Sequence, residues 1–571
     1  MAKAAVYFTY AELHDDVPSS LEDFRARLSE FSRIKLLHIC SVINAALRED
    51  EDPRSRKAHD RLVREVFSQK TAAQLLKPGE NVRFVFHRQQ LLFVMKESLL
   101  NCRDDGRIPA VPEDTFGELF LMASDHLPLQ TTNPDTLEDK FVWLAANLLP
   151  VQEASAFNNF DLSIVRSQLM LFEALPKVES KPHYDIPAMF EGITGMPLMT
   201  FHSLEFGALT KFMKFDAERF AQNPRNYSLQ REWFSSTNVP TAQVDAFLNF
   251  SSSTPDQLAS ELLKHNSGPN DYTIFRDKPL FRDGDNLFLV DFSFLAEKIE
   301  SAPFWTIHST LGHAERKEFH SFWGRVFERY GNDLLESAVD GHLNALYRNP
   351  VFDSRPNEEV CDAILVCGDS AAFIEFKGAT FTAKAKYGND PALLRSELDR
   401  KLVRGDKRQA VEQLCCSIQA VCRRTDPERI RGLDLNRIAT IFPLIITRDD
   451  VGSTVGVNAF LNCRFQEGFN RKEMFKTVTP LFCISSGDLE RLTNYLGEAK
   501  LTDILEAHYR VCRRRGKYLS EPLFTTEGNK MLDNRRAKPR ILTEAWKGVG
   551  NKMIDQLGLN PEDENSEKKP I

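Results

Sequence analysis

Glu375 and Lys377 stand two apart in AAFIEFKGAT, inside a run that is otherwise apolar. A strand sends successive side chains to opposite faces, so the acid and the base share one face while Ile374 and Phe376 share the other. Just upstream, in CDAILVCGDSAAFIEFKG, two β-rich runs flank GDS. A two-residue turn at Gly368 and Asp369 pairs Cys367 with Ser370 and, counting back, Asp362 with Glu375. Directly opposed side chains have Cβ atoms about 4.5 to 5.5 Å apart, where two carboxylates destabilise the sheet unless something positive sits between them. Hard carboxylate oxygens suit Mg2+ or Mn2+, which keep several waters and share their remaining positions with substrate phosphate. Such an ion makes a water nucleophilic and neutralises charge on a phosphoryl group, and Lys377 on the same face could orient that water or stabilise the transition state. The count depends on the turn, because a loop one residue longer or shorter shifts the register.

Glu-x-Lys by itself selects nothing, since it recurs at Glu138/Lys140, Glu179/Lys181, Glu315/Lys317 and Glu498/Lys500. The elements around the pair do the selecting. From about residue 318 the pattern reads helix, strand, strand, helix, strand, strand, through EFHSFWGRVFERYGNDLLESAV, CDAILVC, AAFIEFKG, DKRQAVEQLCCSIQAVCRR, IATIFPLIIT and PLFCISS. That order is an α/β unit with a central mixed sheet, in which a merely salt-bridged surface hairpin would be poorly placed. Before it the chain reads as helices. In SSLEDFRARLSEFSRIKLLHIC, Ser19 and Ser20 offer caps, and Leu21, Phe24, Leu28 and Phe31 form one apolar stripe. TFGELFLMASDHL and DQLASELLKH continue the helical pattern, which breaks at HNSGPND, 265–271, before two short strands around an Asp-Gly turn. The fold class is multidomain, α plus α/β: a helical N-terminal region 1–270, short strands and a connecting helix over 271–317, the α/β core over 318–490, a helical region 491–558 and a polar tail 559–571 that is expected to be disordered.

The core resembles the PD-(D/E)XK nuclease superfamily, the restriction-endonuclease-like fold. The resemblance rests on Asp362 at the start of one strand, Glu375-Phe376-Lys377 in the next, GRVFERY on the preceding helix, and the helix and apolar strand that follow; it covers under a third of the chain. It implies that Asp362 and Glu375 bind Mg2+ or Mn2+ with the Phe376 carbonyl, that Lys377 serves the attacking water, and that Glu328 joins them from the helix. Glu328, however, lies off the stripe of Trp323, Val326, Phe327, Tyr330 and Leu334, and a solvated helix face is the competing reading. Cys361 stands where the family name has Pro. Gln409 and Gln413, four apart on the next helix, resemble polar residues some members place beside the site, although Asp406 with Gln409 also fits a capping box.

Composition sets outer bounds. The chain has 571 residues, 42% apolar and 27% charged, with net charge −8 and pI near 6.0, which argues against nonspecific coating of nucleic acid but not against a local basic groove. The basic cluster HYRVCRRRGKY, with Arg513, Arg514 and Arg515, is a candidate nucleic-acid contact, a salt-bridged helix end being the alternative. No apolar stretch of about 18 residues or signal-peptide pattern is present, so a soluble cytoplasmic protein without a membrane partner is expected. Ten scattered Cys and 13 His show no zinc spacing. The expectation is therefore a Mg2+-dependent nuclease acting on nucleic acid, DNA by family resemblance. The helical half would bind a protein partner or a second copy, as in a regulated microbial antiviral defence effector. The rival is a catalytically silent nuclease-like binding module.

Overall fold

The computed structural model describes residues 5–48, 56–77, 82–127, 134–155, 160–179, 181–213, 227–265, 268–339, 343–405, 408–514 and 540–558. The C-terminal tail from 559, Asp406 and Arg515 lie outside the described residues.

Strands are numbered in chain order: β1 Ala5–Tyr7, β2 Val82–Phe84, β3 Leu229–Gln230, β4 Ser252–Ser253, β5 Leu280–Asp283, β6 Asn286–Leu289, β7 Ala345–Arg348, β8 Ala363–Cys367, β9 Ser370–Lys377, β10 Thr440–Thr447, β11 Thr477–Val478 and β12 Phe482–Ser485. The largest sheet is mixed and runs β7-β8-β9-β10, with β11 and β12 sharing the far edge of β10. β7, β8 and β9 form an antiparallel meander, and β10 lies parallel to β9 over eight residue pairs. A parallel neighbour requires a crossover, and residues 378–439 supply one through the helices Ala383–Tyr387, Pro391–Leu398 and Ala410–Cys422. On the outer edge of β10 the ladder breaks between the residues paired to β11 and those paired to β12, and Pro443, which has no N–H to donate, stands in that break.

Both faces of this sheet are covered, and strand alternation sorts the side chains between them. Ala372, Ile374 and Phe376 of β9 join Ala363, Leu365, Phe442, Leu444 and Ile446 against the helix His313–Ala338. Ala371 and Phe373 join Ile364, Ile441 and Ile445 against the helices Ala410–Cys422 and Val457–Gly468. The helix His313–Ala338 docks tightly because two glycines allow it. A Cβ on Gly331 would lie 2.2 Å from the Phe376 ring, and one on Gly378 would lie 3.0 Å from the Gly324 Cα.

Several readings of the sequence need amendment. The strand β7 was not legible, nor were the short helices of the crossover. The single helix expected over 19–40 is two, Leu21–Leu28 and Arg33–Leu47, because Ser20 caps the first and the chain turns at 29–32. Phe24, Leu28 and Phe31 are buried, while Leu21 is 38% exposed. The helices Asp114–Asp125 and Pro255–Lys264 form where their periodicity places them.

The stretch 265–271 marks a change of element type while core and sheet run across it. β3 and β4, before it, pair with β6 and β5, after it. Phe281, Phe288 and Phe294 complete the apolar cluster of the first 125 residues, and Phe201, Phe234 and Phe247 share a cluster with Trp323 and Phe376. Two buried ion-pair networks reinforce the junction. Asp291 accepts from the Arg88 guanidinium at 2.7 and 2.6 Å and from Asn44 at 2.7 Å. Arg166 donates to both oxygens of Glu490 at 2.5 and 2.9 Å and to Glu300 at 2.8 Å, while Tyr330 donates to Glu490 at 2.9 Å. Breaking one partner of a buried pair costs about 3 to 5 kcal/mol. A fragment beginning at 271 loses β3, β4, Arg88 and Arg166 together, and we expect it to be insoluble on expression; a soluble fragment with a native near-ultraviolet circular dichroism spectrum would show that the second half closes its own core.

Candidate active site

The β8–β9 hairpin turns where the sequence places it. Cys367 pairs with Ser370 and Ala363 with Ile374, and Gly368 takes the left-handed conformation the turn needs, with φ of +71°. Asp362, one residue before β8, therefore continues the register opposite Glu375. Its side chain ends the ladder, since Oδ2 accepts the Phe376 N–H at 2.6 Å while its own carbonyl accepts the Asn349 N–H at 3.0 Å.

Glu375 is buried, 2% exposed, on the face it shares with the apolar Ala371 and Phe373 and with Lys377. Its cation is two residues away. Lys377 Nζ donates to Glu375 Oε2 at 2.7 Å and to Gln413 Oε1 at 2.8 Å. Glu328 is half-buried on the helix His313–Ala338, and its Oε1 accepts from Asn349 Nδ2 at 2.8 Å. Asn349 has φ of +45°, a conformation asparagine tolerates better than most residues, and its side chain also hydrogen-bonds Glu359.

Electrostatics follow from burial. Desolvation, reinforced by the Asp362 charge and only partly offset by Lys377, raises Glu375 to about 8. Burial, with Asp362 beside it, raises Glu328 to about 7. Asp362 is also raised by burial, against the pull of Lys377 and the Phe376 N–H. Burial alone would lower Lys377, but Glu375, Asp362 and Glu328 outweigh it and hold the side chain above its ordinary value. Lys377 is therefore an ammonium at neutral pH, a donor to water or phosphoryl oxygen that cannot accept a proton.

The residues singled out in the sequence divide clearly. Asp362, Glu375 and Lys377 come together, with the Phe376 backbone between them, and Glu328 reaches the same edge. Gln413 joins through Lys377. Gln409 precedes the helix Ala410–Cys422 as its N-cap instead of lying within it, and its side chain makes no capping bond. Arg513 is exposed on the last turn of the helix Leu501–Arg514, the Arg514 side chain and Arg515 falling outside the described residues. Asn349 and Glu359 belong to the site without any motif to announce them; the only sequence signal is the Asn-Pro dipeptide after a short strand.

Among the described residues no group of three or more His, Cys, Asp or Glu side chains is arranged to hold a metal ion. The donors that face each other are the carboxylates of Asp362 and Glu375, with Glu328 in electrostatic reach. Two or three carboxylate oxygens could hold a hard cation that keeps several waters, provided the raised acids give up their protons to it. No family model matches the chain, nor does any curated protein or solved structure.

The raised acids have a measurable consequence. In metal-free protein the folded state holds protons that the unfolded chain, with carboxyls near 4.5, has released, so their stabilising contribution is complete below about pH 4.5 and is lost as pH rises through 7 to 8. Glu375→Gln, an isostere of the protonated acid, should raise the melting temperature in EDTA at pH 8.5 and leave it nearly unchanged at pH 5. Equal shifts at both values would show that Glu375 is ionised throughout.

Proposed function

We propose that the chain is a metal-dependent nuclease of the PD-(D/E)XK kind, hydrolysing phosphodiester bonds of nucleic acid, with DNA the preferred substrate. The observation that carries this reading is the union of Asp362, Glu375 and Lys377 at one end of an antiparallel β7-β8-β9 meander, preceded by a helix bearing Glu328 and followed by a crossover to the parallel β10. That order of elements, with the acids and lysine at those points, is what the restriction-endonuclease-like fold would require.

In this reading Asp362, Glu375 and the Phe376 carbonyl would hold Mg2+ or Mn2+, with Glu328 as a further carboxylate. Once bound, the ion lowers the pKa of a coordinated water and neutralises charge on the phosphate. Lys377 donates to the attacking water or to a non-bridging phosphoryl oxygen, and Gln413 fixes the lysine from the other side. Asn349 holds Glu328 toward the centre. The water oxygen forms the new bond to phosphorus as the bond to the leaving sugar oxygen breaks, and the proton released passes to solvent. The N-terminal half reaches the segment after β9, where Asn270 donates to Asn389 at 3.2 Å, which supports a regulatory role for that half.

One observation favours the second reading, a catalytically silent binding module. Lys377 already satisfies Glu375, and the Phe376 N–H already occupies one oxygen of Asp362, an arrangement that is self-sufficient without a cation. Turnover decides between the two. Purified protein should cut linear or circular DNA with Mg2+ and fail in EDTA. Asp362→Ala and Glu375→Ala should abolish cleavage, and Lys377→Ala should lower it by about a hundredfold or more while leaving Mn2+ affinity largely intact. Cleavage persisting in EDTA would overturn the metal mechanism; no cleavage of DNA or RNA by the wild type would favour the silent module.

A further inference from the structure

A nuclease centre of buried acids needs cations elsewhere to hold a polyanion, and the chain as a whole is acidic. The crossover between β9 and the helix Ala410–Cys422 is a basic stretch beside that centre. Between Gly378 and Gln409 the sequence has eight Lys or Arg and four Asp or Glu, net +4 in a chain of −8. Several of these cations serve the fold: Arg395 pairs with Glu138 and Asp139, Lys386 with Asp449, and Lys401 with Glu397.

Three do not. Arg400, Arg404 and Arg408 are exposed, with Arg400 62% and Arg404 76% open to solvent. Arg404 and Arg408 face each other across an antiparallel bridge. Like charges directly opposed across strands destabilise the pairing unless an anion lies between them. Two of the three arginines sit at ion-pair distance from a carboxylate, the exposed Arg400 at 3.8 Å from the buried Glu397 and the exposed Arg404 at 3.3 Å from the partly exposed Glu412. Pairs of that kind contribute little and leave the guanidinium available.

The arginines are tied to the centre from two directions. The bridge leads directly into the helix whose Gln413 accepts from Lys377, and Lys401, next to Arg400, is bonded to the Thr380 carbonyl three residues past Lys377. We propose that Arg400, Arg404 and Arg408 form the surface that docks the sugar-phosphate backbone of nucleic acid beside the acid pair. The arginines position substrate and do not touch the reacting phosphate. This inference rests on the nuclease reading of Asp362, Glu375 and Lys377.

The test is binding of a fluorescent DNA duplex in EDTA, where no cleavage intervenes, over a range of salt concentrations, followed by steady-state cleavage with Mg2+. Arg400→Ala/Arg404→Ala/Arg408→Ala should reduce the slope of log Kd against log salt by about 2 to 3, raise KM, and leave kcat and thermal melting near wild type. The triple Arg→Lys variant, which keeps charge, should restore the slope. An unchanged slope in the alanine variant overturns the proposal, as does the same loss arising instead from Arg510→Ala/Arg513→Ala. Binding of polyglutamate as tight as that of duplex would assign the patch to an acidic protein and overturn it too. If the slope falls as expected but wild type cuts nothing, the docking surface stands and the nuclease reading alone fails; if wild type binds no nucleic acid, both fall.

Discussion

A strand buried on both faces has no solvent side to give a charged residue, and β9 carries Glu375 in that position. Alternation puts Ile374 and Phe376 against the helix His313–Ala338, and the same alternation drives Glu375 into the opposite layer with Lys377 behind it. An unpaired buried carboxylate is too costly to persist, so the surrounding structure is organised around its neutralisation. Lys377 reaches back to it, Gln413 steadies Lys377 from the crossover helix, and Asp362 is held opposite by the Phe376 N–H. The close approach permitted by Gly331 and Gly378 then brings Glu328 to the same end of the sheet. The β8–β9 hairpin and two helices, one before it and one after it in sequence, thus meet at one end of the sheet.

The rest of the chain is attached to this core by the same physics at larger scale. Apolar clusters run from the first helices into the sheet layers, and the two buried arginine networks join residues more than 200 apart in sequence at Arg88–Asp291 and more than 300 apart at Arg166–Glu490. Tyr330, on the helix that also carries Glu328, hydrogen-bonds Glu490 within the second network. The helix that carries Glu328 is thus bonded into the network that holds Arg166, and Asn270 donates to Asn389 beyond the end of β9. Among the described residues no helix is long and apolar enough to cross a membrane.

Local rules made part of the structure legible before any fold was known. The Gly368-Asp369 turn and the period of two in the flanking runs determined that Asp362 opposes Glu375, because hairpin register depends only on turn length and alternation. Helical periodicity determined Asp114–Asp125 and Pro255–Lys264 for a similar reason. What the sequence could not reveal was non-local. β7 is four residues, half-buried and unpatterned, and becomes a strand only because β8 offers it an edge. Glu328 looked like a solvated residue on its helical wheel, since a wheel shows the helix's own apolar stripe and not the sheet end against which the glycines seat it. Asn349 needed the fold to bring it between Glu328 and Glu359, and Arg404 needed the bridge that sets it against Arg408. The 265–271 break looked like a boundary because turn residues there interrupt the helical pattern, whereas only tertiary pairing of β3 and β4 with β6 and β5 shows the sheet crossing it. The sequence by itself determined which acids share a hairpin, which faces are apolar and that Lys377 lies on the face of Glu375, as these depend on neighbours along the chain; tertiary structure alone decided that Gln413, Glu328 and Asn349 meet them there, because those arrive through loops whose length and chemistry carry no record of where they end.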